Sequence, residues 1–393
     1  MPRIPGRSSG PIFSKPPNCP TNGGQRTLIV VSSSPQEKLS LQSRIRGCLL
    51  GGAVGDALGA PVEFLSLAEI RQRFGAGGIG DYVPAYGRIG AITDDTQMTL
   101  FTAEGLLRAW VRGTLKGICH RPGVIHHAYL RWLLTQDEQT SNPDVEIGQD
   151  GWLFSLKTLH ERRAPGNTCL LALLETKSFG TPTVARNTSK GCGGVMRVAP
   201  VGLFAPGMRG NDDVFGLAVD AAALTHGHPS GYLSAGYLAV TVSALLRGCP
   251  LPEALDIADA QLRRREGHQE VAEAVAAARA LAACGDPTPE QIENLGDGWV
   301  AEEALAIAVC CALAAPDFEG GVRLAVNHSG DSDSTAAITG NLLGALLGEK
   351  AIPAHWLERL ELRDEIGALA DDLHAATCGI LDARAAWSRY PGW

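Results

Sequence analysis

The sequence predicts an all-α fold. Apolar residues recur at helical spacing over 96–111, 122–134, 213–247, 252–283, 302–315, 334–347 and 355–385. Alternating apolar and polar runs, which would mark half-buried strands, are nearly absent. Gly and Pro gather between the helical segments, at 75–90, 142–148, 180–194 and 249–252, where turns need them. No fixed-period repeat is visible, which argues against a solenoid.

Taken in order, the chain opens on residues 1–40, which are rich in Pro, Gly and Ser. Such a segment buries too little apolar surface to offset its ordering entropy, so it reads as a separate arm, flexible or partner-binding. Residues 41–393 form the single compact domain. Its first helical stretch, from Leu41, carries Gly47, Gly51, Gly52, Gly55 and Gly59. Each glycine costs about 1 kcal/mol against alanine in a helix interior. Their number predicts a central helix that a neighbouring backbone approaches closely. Residues 271–283 are Ala-rich and strongly helix-favouring.

Nearly half of the 393 residues are hydrophobic (45%), enough for a large core. A net charge of −8 argues against a nucleic-acid backbone as the main partner, which calls for a basic surface. The ten cysteines form no CxxC pair and no zinc-like cluster, so reduced thiols in a cytoplasmic protein are expected. The apolar run Leu28–Val31 is too short for a signal core or a membrane span, and a soluble protein is expected.

Two segments carry chemistry. Thr93-Asp94-Asp95-Thr96 and Asp331-Ser332-Asp333-Ser334 each lie at the start of a helical pattern. Helix capping explains one such residue per helix. Each segment supplies more, and clustered carboxylates repel unless a cation sits among them. All-oxygen donors suit hard ions such as Mg²⁺ or Mn²⁺. The glycine segment Lys190–Arg197, after Asn187 and Ser189, offers backbone N–H groups that can cradle phosphate oxygens.

Together with the segments at 47–64, 77–82, 187–197 and 225–229, these residues resemble the ADP-ribosylglycohydrolase family, in its bacterial branch. The resemblance implies an all-α domain with a dinuclear Mg²⁺ or Mn²⁺ centre in a cleft. It implies Thr93, Asp94, Asp95, Asp331, Asp333 and Ser334 as metal ligands, with Glu63 on a loop beside the metals. Asp150 corresponds to a further active-site carboxylate. Asn187, Ser189, Gly191, Gly193 and Gly194 match the loop that holds the diphosphate of ADP-ribose, and His226 lies near the ligand. Catalysis falls to Glu63, Asp94, Asp333 and Asp150.

The implied activity is release of ADP-ribose from a modified protein side chain, and the Val62-Glu63-Phe64 segment favours arginine. Serine-linked or small-molecule conjugates, a crystallin-like binding protein and a two-metal nucleotide phosphohydrolase are the competing readings. The arm suggests a further partner, a cognate ADP-ribosyltransferase.

Overall fold

The computed structural model describes residues 39–177, 184–204 and 207–392. The arm, and with it the transferase expectation, falls outside the described residues apart from Leu39 and Ser40.

The described chain is a succession of helices: α1 (Leu41–Gly59), α2 (Leu67–Phe74), α3 (Asp94–Lys116), α4 (Arg121–Thr135), α5 (Asn167–Leu174), α6 (Ala199–Leu203), α7 (Asn211–Ala223) and α8 (Pro229–Leu246). There follow α9 (Leu251–Leu262), α10 (Gln269–Ala283), α11 (Pro289–Ile292), α12 (Ala301–Ala314), α13 (Phe318–Val326), α14 (Ser332–Leu347), α15 (Ala354–Leu357) and α16 (Arg363–Thr377). Extended pairing among the described residues is limited to two isolated bridges, Ala85 with Arg88 and Gly191 with Val300. No helix of the described residues is long and apolar enough to cross a membrane.

Three long periodic runs are broken where local chemistry forbids a continuous helix. The run 213–247 divides at Gly227 and Pro229, so that His228 caps α8 through its side chain. The run 252–283 divides between α9 and α10, where Gly267 takes a positive φ of 75°. The run 355–385 yields only α15 and α16.

The glycine-rich first helix is central, as its composition predicts. It packs antiparallel against α14, and glycine meets glycine along the seam. A Cβ on Gly51 would lie 2.5 Å from the Gly340 carbonyl oxygen, and one on Gly47 would lie 2.4 Å from that of Gly344. At the end of this seam, a Cβ on Gly59 would lie 2.4 Å from the Asp333 Cα. Backbone-to-backbone contact therefore brings the C-terminal end of α1 directly against the N-terminus of α14. This fixes the place of the candidate site.

Candidate active site

Three elements meet at this point: the end of α1 with the turn after it, the N-terminus of α3 and the N-terminus of α14. Asp56 of α1 is fully buried. Its carboxylate accepts hydrogen bonds from the Thr93 amide at 3.0 Å, from the Thr96 amide at 3.1 Å and from the Thr96 hydroxyl. Asp56 thereby holds the first turn of α3. That turn is capped by Thr93, whose hydroxyl accepts from the Asp95 amide at 3.2 Å. On α14 the cap is Asp331, accepting from the Ser334 amide at 3.3 Å. Capping thus accounts for one residue in each acidic segment and leaves Asp94, Asp95, Asp333 and Ser334 without that role.

The two segments converge. The Ser334 hydroxyl donates to Asp95 Oδ2 at 2.8 Å. Asp333 accepts from the Ser334 amide at 3.0 Å, and Asp94 Oδ2 from the Gly166 amide at 3.4 Å. Glu63, in the turn after α1, is 7% exposed, and its Oε2 has no hydrogen-bond partner. Thr93, Asp94, Asp95, Asp331, Asp333, Ser334 and Glu63 are therefore one buried group.

The electrostatics of this group are one-sided. Asp56, Glu63, Asp94, Asp95, Asp331 and Asp333 are buried carboxylates. Among the described residues no arginine or lysine pairs with them; the nearby buried Arg163 is committed to Glu361 and Glu161. Burial, and then the neighbouring Asp333 charge, push Glu63 up to about 11 and Asp56 up to about 7. The same two causes raise Asp94 and Asp95 well above the usual carboxylate range, and burial followed by Asp333 raises Asp331. Crowded carboxylates without a counter-charge shift in this direction, and a bound cation would relieve it.

The donor set fits hard divalent cations: six carboxylates, of which Glu63 has an orphaned oxygen, and two hydroxyls (Thr93, Ser334), set where two helix dipoles point their positive ends. Among the described residues no three acidic, His or Cys groups already stand as a coordination shell. Asp95 and Asp333 are engaged by Ser334, and Asp331 Oδ2 by the Cys192 thiol. A cation would enter by exchanging those bonds.

The remaining predicted residues divide. Asn187 spends its side chain on structure: Oδ1 accepts from the Ser189 and Gly227 amides, both at 3.0 Å, and Nδ2 donates to the Thr225 carbonyl. The glycine segment is not an open loop at its centre. Gly193 and Gly194 are buried in a short 3-10 turn, and a Cβ on Gly193 would lie 2.7 Å from Cys169 Sγ and 3.1 Å from His226 Cε1. Ser189 and Gly191 are partly exposed and form the accessible rim. His226 is buried, hydrogen-bonded through Nδ1 to the Thr225 hydroxyl, and pushed down to about 3 by burial and then by Arg197, so it is neutral.

Asp150 pairs with Arg108 at 2.8 Å, in a network with Glu104 and the Pro391 carbonyl. The 142–151 loop is drawn to the buried Arg108 guanidinium, which takes both the Asp150 side chain and its carbonyl.

Sequence reasoning missed Asp56, although a lone acid inside the apolar, glycine-rich α1 was a usable signal. It also missed Trp299, 40% exposed, which stacks at 5.7 Å on Phe64, itself 70% exposed. Trp299 had no such signal, because its partner is distant in sequence.

Comparison with known proteins follows the same lines. The model of the ADP-ribosylglycohydrolase family matches residues 37–380. The ADP-ribosyl-[dinitrogen reductase] glycohydrolase of Rhodospirillum rubrum is 27% identical over 83% of this chain and 93% of its own length. The ADP-ribosylarginine hydrolase Tri1 of Serratia proteamaculans is 26% identical over 91% of this chain and 87% of its own. A solved ADP-ribosylglycohydrolase-related protein complex superposes with a TM-score of 0.63 at 30% identity, covering 86% of this chain and 99% of the other.

Proposed function

Because the chain belongs to the ADP-ribosylglycohydrolase family, we propose that it hydrolyses the bond between ADP-ribose and an arginine side chain of a modified protein, using two Mg²⁺ or Mn²⁺ ions. One observation carries the reading: two acidic segments far apart in sequence share a hydrogen bond, Ser334 to Asp95 at 2.8 Å, inside an otherwise uncompensated pocket of negative charge. The likeness to the ADP-ribosylarginine hydrolase Tri1 supports arginine as the modified residue. The reduced cysteines and acidic surface balance fit a cytoplasmic setting.

Thr93, Asp94, Asp95, Asp331, Asp333 and Ser334 are the proposed ligands. Bound divalent ions supply two things to such a site: a lowered pKa for water and polarisation of sugar hydroxyls. The chain's own residues do the rest. Ser189 and Gly191 at the rim receive the diphosphate, next to the neutral ring of His226. Water attacks the anomeric carbon, the C–N bond breaks and its electron pair leaves with the guanidine. Glu63 takes the water proton, its orphaned Oε2 being free to accept it. The remaining carboxylates offset the positive charge that develops on the sugar.

The test is incubation with defined ADP-ribosyl-arginine and ADP-ribosyl-serine peptides, with metal and with chelator, read by product mass. Release of intact ADP-ribose from the arginine peptide, metal-dependent and abolished by Asp94→Ala and by Asp331→Ala, is the expected result. Full activity of both variants, or cleavage of the serine peptide alone, refutes the assignment.

A further inference from the structure

The oxygen cluster has a sulfur at its edge. Cys192 opens the 3-10 turn of the glycine segment, and its amide is held by the Trp299 carbonyl at 3.1 Å. That anchor directs the side chain at α14. Cys192 Sγ donates to Asp331 Oδ2 at 2.8 Å and accepts from the Ser334 hydroxyl at 3.7 Å. Ser334 in turn bonds Asp95. The thiol therefore touches one proposed ligand directly, and a second that is itself tied to the other acidic segment. A second soft atom is close by, Met196 Sδ at 3.9 Å from the same hydroxyl.

Independently, Glu63, 7% exposed, leaves Oε2 without a partner beside Asp331, Asp333 and Asp94. That buried orphan marks the same spot as one that takes a ligand. A purely structural cysteine would sit among apolar groups; this one faces carboxylates and a hydroxyl.

We propose that Cys192 is an additional ligand of the cation site, so that the site takes thiophilic divalent ions such as Co²⁺ and Cd²⁺ through sulfur and oxygen together. The inference rests on the metal reading given under Proposed function. Coordination is by thiolate, the thiol proton passing to solvent as the S–H···Asp331 hydrogen bond is replaced by the bond to the ion. Mg²⁺, which prefers oxygen, uses the carboxylates and gains nothing from the sulfur.

The experiment uses the full chain, reduced and stripped with chelator, without substrate. Cys378 lies 3.4 Å from His374 on α16 and is a second thiol beside a ligating group, so all measurements are made in a Cys378→Ser background. Titration with Co²⁺ is followed by near-ultraviolet absorption, and binding of Co²⁺, Cd²⁺, Mn²⁺ and Mg²⁺ by calorimetry. A sulfur-to-cobalt charge-transfer band is expected at saturation. Cys192→Ser and Cys192→Ala remove it and weaken Cd²⁺ binding at least about tenfold, while Mg²⁺ affinity stays within a few-fold. Protection of Cys192 from alkylation by Cd²⁺, mapped by peptide mass, gives a readout that needs no substitution at that position. Saturation with Co²⁺ without the band, or a band that survives both Cys192 variants, overturns the thiol ligand and leaves the metal reading standing. Absence of binding by every ion overturns both.

Discussion

Ser334 and Asp95 are separated by 239 residues of sequence and joined by a hydrogen bond of 2.8 Å. A neutral hydroxyl, and not a cationic side chain, joins the two helix N-termini. That choice leaves the local negative charge uncompensated, which suits a site built to receive cations.

Ser334→Ala isolates this contact. A neutral hydrogen bond to a carboxylate is worth about 1.5–3 kcal/mol at most, so the metal-free variant should fold with a modestly lowered Tm. Affinity for Mn²⁺, measured by calorimetry, should fall about 10–100-fold, the range seen when a ligand or its support is removed. Unchanged affinity excludes Ser334 from the ligand set.

Glu63 gives a pH signature. Its folded pKa is raised from an ordinary 4.5 to about 11 by burial and then by the Asp333 charge. The native state keeps a proton that the unfolded chain loses above 4.5, so this stabilisation is complete in acid and declines as pH rises toward 11. Glu63→Gln cannot lose that proton. In the absence of metal, the variant should gain stability over the wild type as pH rises from about 5 to about 8, by at least about 1 kcal/mol at the upper end. Mn²⁺ should close the gap by stabilising the ionised wild type. Thermal unfolding across pH, with and without the ion, checks both signs; a gap that does not widen with pH shows that Glu63 is ionised in the metal-free site.

Asp56 is a positioning residue and its variants separate geometry from charge. Asp56→Ala strands the Thr93 and Thr96 amides and the Thr96 hydroxyl, at about 1–3 kcal/mol for each unsatisfied buried donor. Asp56→Asn retains an acceptor oxygen. We expect the alanine variant to lose both Tm and Mn²⁺ affinity and the asparagine variant to recover much of each. Equal losses in the two would show that Asp56 acts by charge and not by holding the α3 turn.

The two acidic segments, and the seam of glycines that aligns them, were legible in the sequence because each follows a local rule. Carboxylates in excess of capping need stand out, and so does an improbable count of glycines in one helix. The breaks at Gly227 and Pro229 and at Gly267 were less legible, since apolar periodicity continues through them while the backbone does not. The surroundings of Asp150 were illegible for a different reason. Its partner, Arg108, is fixed only by tertiary burial beside Glu104, and no local pattern announces that pairing. Cys192 and Trp299 owe their positions to the Gly191 bridge to Val300, again a long-range contact.

The pairing of Asp150 with Arg108 has its own test. Its side chain is 40% exposed, whereas Glu104 is fully buried between Arg108 and Arg131. Asp150→Asn should leave turnover of the arginine peptide nearly unchanged and cost little stability, since a half-exposed pair is worth about 0–1 kcal/mol. Glu104→Gln leaves two buried guanidinium groups undercompensated and should cost about 3–5 kcal/mol in denaturant unfolding. Loss of turnover in Asp150→Asn with stability intact would show that the residue acts in catalysis.

The glycine seam makes the sign of a single methyl group depend on place. In Gly51→Ala the new Cβ would sit 2.5 Å from the Gly340 carbonyl oxygen, closer than any real contact, so α1 and α14 must separate. Overpacking of this kind costs about 1–3 kcal/mol, more than the helix propensity of alanine returns. Gly216, on α7, has nothing within 4 Å of its Cβ position. There the same substitution should raise stability by up to about 1 kcal/mol. Because the seam ends on Gly59 against Asp333, Gly51→Ala should also weaken Mn²⁺ binding, and Gly216→Ala should not. Paired unfolding and calorimetry on the two variants decide this. If Gly51→Ala proves neutral in both measurements, α1 and α14 lie farther apart than the structure shows, and the seam cannot be what sets the spacing of the acidic groups.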